Sequence, residues 1–213
     1  GLFCTVSCKN VTVRGCEMGF LGGAVVEGVI TNNFTTRGGG GVAFMSNSEN
    51  ALVENCWFYH IYDTGVTYQG AGVAKNFIMR NNLVEFCGMA SFEYWGTEAQ
   101  GSLIEGNLMR FAGYGWGGQR PNKDQRAHIQ STARLHGPLD NAAKDYRIIN
   151  NVFEMSAYQL VNATSKLGGE PYMDGNTYIQ KKGGLLGYYK TNENVVFDDN
   201  VEHTLKTLWG DKN

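Results

Sequence analysis

Asp63, in YHIYDTG (59–65), and Glu93, in ASFEYW (90–95), are the carboxylates best suited to chemistry in this 213-residue chain. Cleaving a glycosidic bond needs one carboxylic acid to protonate the leaving oxygen and a second carboxylate to act as nucleophile or base. Glu93 is the expected acid and Asp63 the expected partner. Each also has a plainer reading. Asp63 suits an Asx-type turn. Glu93 suits a solvated strand position, although Glu is a poor strand former and its neighbours Phe92, Tyr94 and Trp95 are large.

Residues of the right type for a sugar groove surround the pair in sequence. Tyr62, Trp95 and Trp116 offer aromatic faces, which stack on the C–H faces of sugar rings. Gln69, His128, Gln130 and Arg120 offer hydrogen bonds to hydroxyls or, for Arg120, a clamp on an acidic sugar. Trp116 and Arg120 lie in the longest loop, GYGWGGQRPNKDQR (113–126). His128 also reads as a structural histidine, and Arg120 as a tie for its own loop. His60, His136 and His203 have no supporting constellation, and no acidic cluster has the spacing of a calcium site.

The elements that must position these residues are set by a repeat. Asn82, Asn107, Asn151, Asn176 and Asn200 each follow a short apolar run, at intervals of 25, 44, 25 and 24 residues. Cys56 occupies the same column 26 residues before Asn82. Such a period signals stacked repeats. The runs are too short for helices, alternate inward and outward residues, and are punctuated by Gly and Asn. The reading is all-β: a right-handed parallel β-helix solenoid of about seven to eight coils, with an asparagine ladder at one turn. The whole chain, 1–213, is read as one such domain, with HTLKTLWG (203–210) opening a short C-terminal cap in 203–213. Upstream, Cys16 and Asn33 are placed in the column, but their spacing does not fit one period. Either the first ten residues form an irregular cap, or further coils precede them in a longer protein.

The column serves as a ruler. A second strand follows it in each coil: GVTYQG (65–70), ASFEYW (90–95), AHIQS (127–131) and LVNAT (160–164). With Val66, Tyr68, Phe92, Tyr94 and Ile129 inward, Thr67, Gln69, Ser91, Glu93, Trp95, His128 and Gln130 point outward. Thr67 then stands beside Glu93, and Glu93 beside His128.

A net charge of −2 gives no electrostatic case for nucleic acid. No apolar run reaches the length of a membrane-spanning helix. The five cysteines (4, 8, 16, 56 and 87) leave at least one unpaired. Cys16, Cys56 and Cys87 read as interior fillers, and a local Cys4–Cys8 bridge is disfavoured.

The coil pattern resembles the right-handed parallel β-helix proteins of the pectate-lyase-like superfamily. The runs CKNVTVRGCEMGFLGG (8–23), VENCWFYHIYDTGVTYQG (53–70), CGMASFEYWG (87–96) and GYGWGGQRP (113–121) resemble bacterial β-helix glycoside hydrolases acting on plant polysaccharides. The resemblance implies a groove along one sheet, a polysaccharide or oligosaccharide partner, and a secreted or periplasmic protein. It also implies a chain longer than this one, so that association with missing N-terminal coils is one expectation. Three functions follow: a glycoside hydrolase without cofactor, a polysaccharide lyase using a basic residue such as Arg120 or Arg126 and calcium, or a binding β-helix that needs only the aromatics.

Overall fold

The computed structural model describes residues 1–4, 7–22, 40–45, 47–70, 72–95, 98–113, 131–136, 146–163, 172–187 and 194–198. These form a solenoid of parallel strands in three long sheets. The first sheet holds six three-residue strands: β2 (Thr12–Arg14), β5 (Leu52–Glu54), β9 (Ile78–Arg80), β13 (Leu103–Glu105), β16 (Arg147–Ile149) and β19 (Tyr172–Asp174). The central residue of each (Val13, Val53, Met79, Ile104, Ile148 and Met173) turns into the bore and is buried. The second sheet holds β3 (Glu17–Leu21), β6 (Trp57–Ile61), β10 (Leu83–Glu85), β14 (Leu108–Ala112), β17 (Val152–Ser156), β20 (Thr177–Gln180) and β22 (Asn194–Phe197). The third holds β1 (Leu2–Cys4), β4 (Val42–Met45), β7 (Thr64–Gln69), β11 (Ala90–Trp95), β15 (Ser131–His136), β18 (Gln159–Ala163) and β21 (Leu185–Gly187). β8 (Val73–Lys75) and β12 (Glu98–Gln100) pair separately. Seven rungs in each longer sheet agree with the coil number read from the period.

A two-residue turn joins the first sheet to the second. Its first residue is left-handed in each described coil: Gly15, Asn55, Asn81, Gly106, Asn150 and Gly175 have φ between 54° and 64°. Only Gly and, next best, Asn take this conformation at low cost. The second residue is the column. Asn82 Nδ2 donates to Asn107 Oδ1 (2.9 Å), Asn107 Nδ2 to Asn151 Oδ1 (2.9 Å) and Asn151 Nδ2 to Asn176 Oδ1 (3.1 Å). All four are buried, so the ladder lies inside the bore, where each amide also satisfies backbone groups of the neighbouring coil. Asn200 lies outside the described residues, as do 203–213.

Upstream, the rung beside Cys56 is Cys16, since β2 pairs with β5 and β3 with β6 directly; Asn33 lies outside the described residues. The period fails there because 40 residues separate successive rungs, which is an insertion of the same kind as the 44-residue interval after Asn107.

A second column, four residues further on, was not read from the sequence. Phe20, His60, Phe86, Phe111 and Met155 all have positive φ, between 46° and 55°. Phe20 stacks on His60 (5.0 Å, 13°), His60 on Phe86 (5.1 Å, 11°), and Phe86 on Phe111 (5.1 Å, 18°). Left-handed backbone is costly for bulky side chains, and ring-on-ring stacking at the corner offsets that cost. His60 thus has a role: it is one rung of an aromatic stack. Burial holds its imidazole below the ordinary histidine range, with the nearby Glu85 carboxylate pulling the other way. A folded-state value below the unfolded one means that the unfolded chain binds the extra proton. His60 therefore contributes stability in full above about pH 6.5, and loses it as pH falls through the lowered folded value. Thermal midpoints of wild type and His60→Phe should converge at neutral pH and separate below pH 6, with wild type falling faster. Parallel pH profiles would remove this role.

Candidate functional site

The third sheet carries the predicted strip. Val66, Tyr68, Phe92 and Tyr94 face the bore and are buried, as the alternation requires. β7 and β11 pair with Thr67 opposite Glu93 and Gln69 opposite Trp95. The Thr67 hydroxyl donates to Glu93 Oε2 at 3.1 Å. Both residues point away from the bore, yet each is only 3% exposed. The outer face of the sheet is therefore covered at this point, and Glu93 is not a solvated strand residue. Two positions further along the strand, Trp95 is 47% exposed and Gln69 half-buried. A buried carboxyl group thus adjoins an accessible indole.

Two details of the strip change. Ser91 faces inward: it is buried, and its hydroxyl donates to the Val84 carbonyl at 3.3 Å. The chain turns a corner there, and the register passes from Ala90–Thr64 to Phe92–Val66 without pairing the residues between. The strand on the other side of β11 is Ser131–His136, which starts where the predicted segment 127–131 ends. The backbone position beside Glu93 is consequently Arg134, and the next rung is Asn162. His128 is not Glu93's register neighbour. The row reads Ala43, Thr67, Glu93, Arg134, Asn162. His128, Gln130, Trp116 and Arg120 themselves lie outside the described residues.

Asp63 sits at the corner between β6 and β7, half-buried, with its carbonyl accepting Met89 N–H at 2.9 Å. It therefore aligns with Met89, four residues before Glu93. At ~3.3 Å per residue, that offset is up to ~13 Å along the strand, with one coil step of ~4.8 Å across it. Tyr62, beside Asp63, packs against Met89 and Ala90 at the same corner. Among the described residues, no group of three His, Cys, Asp or Glu is gathered as a metal site. No helix of the described residues is long and apolar enough to cross a membrane.

On the outer face of the second sheet, residues from several coils form a separate polar cluster. Trp57 Nε1 donates to Glu85 Oε1 (2.8 Å), Arg110 Nε donates to Glu85 Oε2 (2.7 Å), and Tyr59 donates to Glu17 (2.7 Å). These bonds tie successive coils together and leave Glu85 with both oxygens engaged.

Parallel sheets, an interior asparagine ladder and a 25-residue coil define a β-helix solenoid. The family model described as right handed beta helix region matches residues 1–110, just over half of the chain, and the protein belongs to that family. No curated protein and no solved structure matches the chain.

Proposed function

We propose that this β-helix protein is carbohydrate-active and cleaves a plant or other complex polysaccharide as a glycoside hydrolase. The observation that carries the reading is Glu93: a buried carboxyl group on the outer face of a strand that ends in an exposed tryptophan. General acid catalysis favours a carboxyl withdrawn from bulk water, and an accessible indole gives a sugar ring a face to stack on. In this reading Glu93 protonates the leaving oxygen, Thr67 orients it, and Asp63 serves the other side of the bond. Gln69 and Tyr62 line the approach.

A second reading has one observation in its favour. Arg134 takes the backbone position beside Glu93, and a lyase would need a basic residue to abstract the proton next to a uronate carboxylate. Product chemistry separates the two. Wild type incubated with a panel of plant glycans is expected to release reducing ends without ultraviolet absorbance from unsaturated sugars. Unsaturated products would establish the lyase. Binding without turnover on every glycan would leave a binding module and refute hydrolysis.

A further inference from the structure

The asparagine column ends in two cysteines. Asn82 Oδ1 accepts the Cys56 N–H at 2.9 Å, and Cys56 Sγ in turn accepts the Cys16 N–H at 3.5 Å. The register fixes the pair from both sides: Arg14 lies opposite Glu54, and Glu17 opposite Trp57. Cys16 and Cys56 therefore face each other one strand spacing apart, ~4.8 Å, within the ~4.4–6.8 Å Cα separation that a disulfide spans. The Cys56 sulfur reaches into the coil of Cys16. Cys56 Sγ is 3.7 Å from the Val13 carbonyl oxygen, which belongs to the coil of Cys16, and Cys16 Sγ is 3.4 Å from the Arg14 carbonyl oxygen. Both are free thiols, Cys56 buried and Cys16 partly exposed.

We propose that Cys16 and Cys56 are a modification site, a dithiol that closes into a disulfide between adjacent coils. The oxidant is a small-molecule disulfide. The more accessible Cys16, as thiolate, attacks one of its sulfurs, forming a mixed disulfide and expelling one thiolate. Cys56 then loses its proton and attacks the Cys16 sulfur, expelling the second thiol. The protein loses two hydrogens and the small disulfide becomes two thiols, so electrons balance. Burial pushes the Cys56 thiol above its ordinary range, which makes the second step the slower one and faster at higher pH. The bond would clamp two rungs that are 40 residues apart in sequence, replacing the last contacts of the amide ladder with a covalent one.

The test uses the full chain carrying Cys4→Ser and Cys8→Ser, which removes the other two partly exposed thiols. It is incubated with oxidised glutathione at about pH 8.5, where an ordinary thiol is half ionised, then acid-quenched, alkylated and digested without reductant. The expected product is a Cys16–Cys56 linked peptide two hydrogens lighter than its parts, with a thermal midpoint several degrees above the reduced protein and reversed by reductant. Adding Cys56→Ser should stop the reaction at a glutathione adduct on Cys16, with no rise in midpoint. A persistent Cys16–glutathione adduct in the Cys56-containing protein, two free thiols, or an equal rise without Cys56 would each overturn the proposal.

Discussion

Asn107→Ala should destabilise the solenoid by about 3–5 kcal/mol, one of the largest losses open to a single polar residue here. The Asn107 side chain makes four bonds. Its Oδ1 accepts the Asn82 backbone N–H (3.0 Å) and Asn82 Nδ2 (2.9 Å), and its Nδ2 donates to the Met79 carbonyl (3.0 Å) and Asn151 Oδ1 (2.9 Å). Alanine orphans the Asn82 N–H and breaks both amide links of the ladder at this rung, while the Met79 carbonyl keeps its strand-ladder donor from β13. The Asn82 N–H lies in the bore, where an unsatisfied group costs ~1–3 kcal/mol, and each lost side-chain bond adds ~0.5–1.5 kcal/mol. The neighbouring amides keep other partners: Asn82 Nδ2 still reaches the Val53 carbonyl, and Asn151 Oδ1 still accepts Asn107 N–H. The loss should therefore be that of one backbone group and the bonds of one rung rather than of the whole ladder. Chemical denaturation of wild type and Asn107→Ala measures it, with Asn81→Gly as control: the turn residue preceding the column is left-handed, and glycine fits it with little change. A loss below 1 kcal/mol for Asn107→Ala would mean that water replaces the ladder and that the column is ordinary turn chemistry.

The same column explains which parts of the structure were legible in advance. A buried amide ladder forces one residue type to recur at one spacing, so Asn82, Asn107, Asn151 and Asn176 announced the coil directly. Alternation then placed Val66, Tyr68, Phe92 and Tyr94, because successive strand residues face opposite sides of the sheet and these apolar ones take the bore side. Failures fell where local rules stop carrying register. Cys16 replaces asparagine at the end of the column and an insertion separates it from Cys56, so the spacing alone did not show that these two are successive rungs. The interval after Asn107 broke the ruler again, and a strand that starts at Ser131 was placed a few residues early, with His128 where Arg134 stands. Ser91 failed because a corner interrupts strict alternation. The aromatic column was legible and missed: Phe20, His60, Phe86, Phe111 and Met155 each stand four residues after the column. The burial of Glu93 was not legible, because it depends on what covers the outer face, and no period in the strand encodes that.

Glu93→Gln should lower turnover on the cleaved glycan by about 10²–10⁴-fold, the range that a positioned general acid supplies, while leaving the fold intact. Glutamine has nearly the same volume, and its amide oxygen can still accept from the Thr67 hydroxyl. What it loses is the transferable proton. The effect should fall on kcat with KM little changed, because the proton moves only as the bond breaks. A leaving group that needs no protonation should recover most of the rate. Thr67→Val leaves the carboxyl and removes only its 3.1 Å bond; the expected cost is about tenfold, or ~1.4 kcal/mol, within the ~0.5–1.5 kcal/mol of one hydrogen bond between neutral groups. Asp63→Asn should match Glu93→Gln in turnover but show no rescue by the activated leaving group, since it acts on the opposite side of the bond. Full activity in Glu93→Gln, with the variant's thermal midpoint within a few degrees of wild type, would remove Glu93 from the chemistry. The buried Thr67–Glu93 pair would then be one more contact that ties coil to coil, like Trp57 with Glu85 on the second sheet.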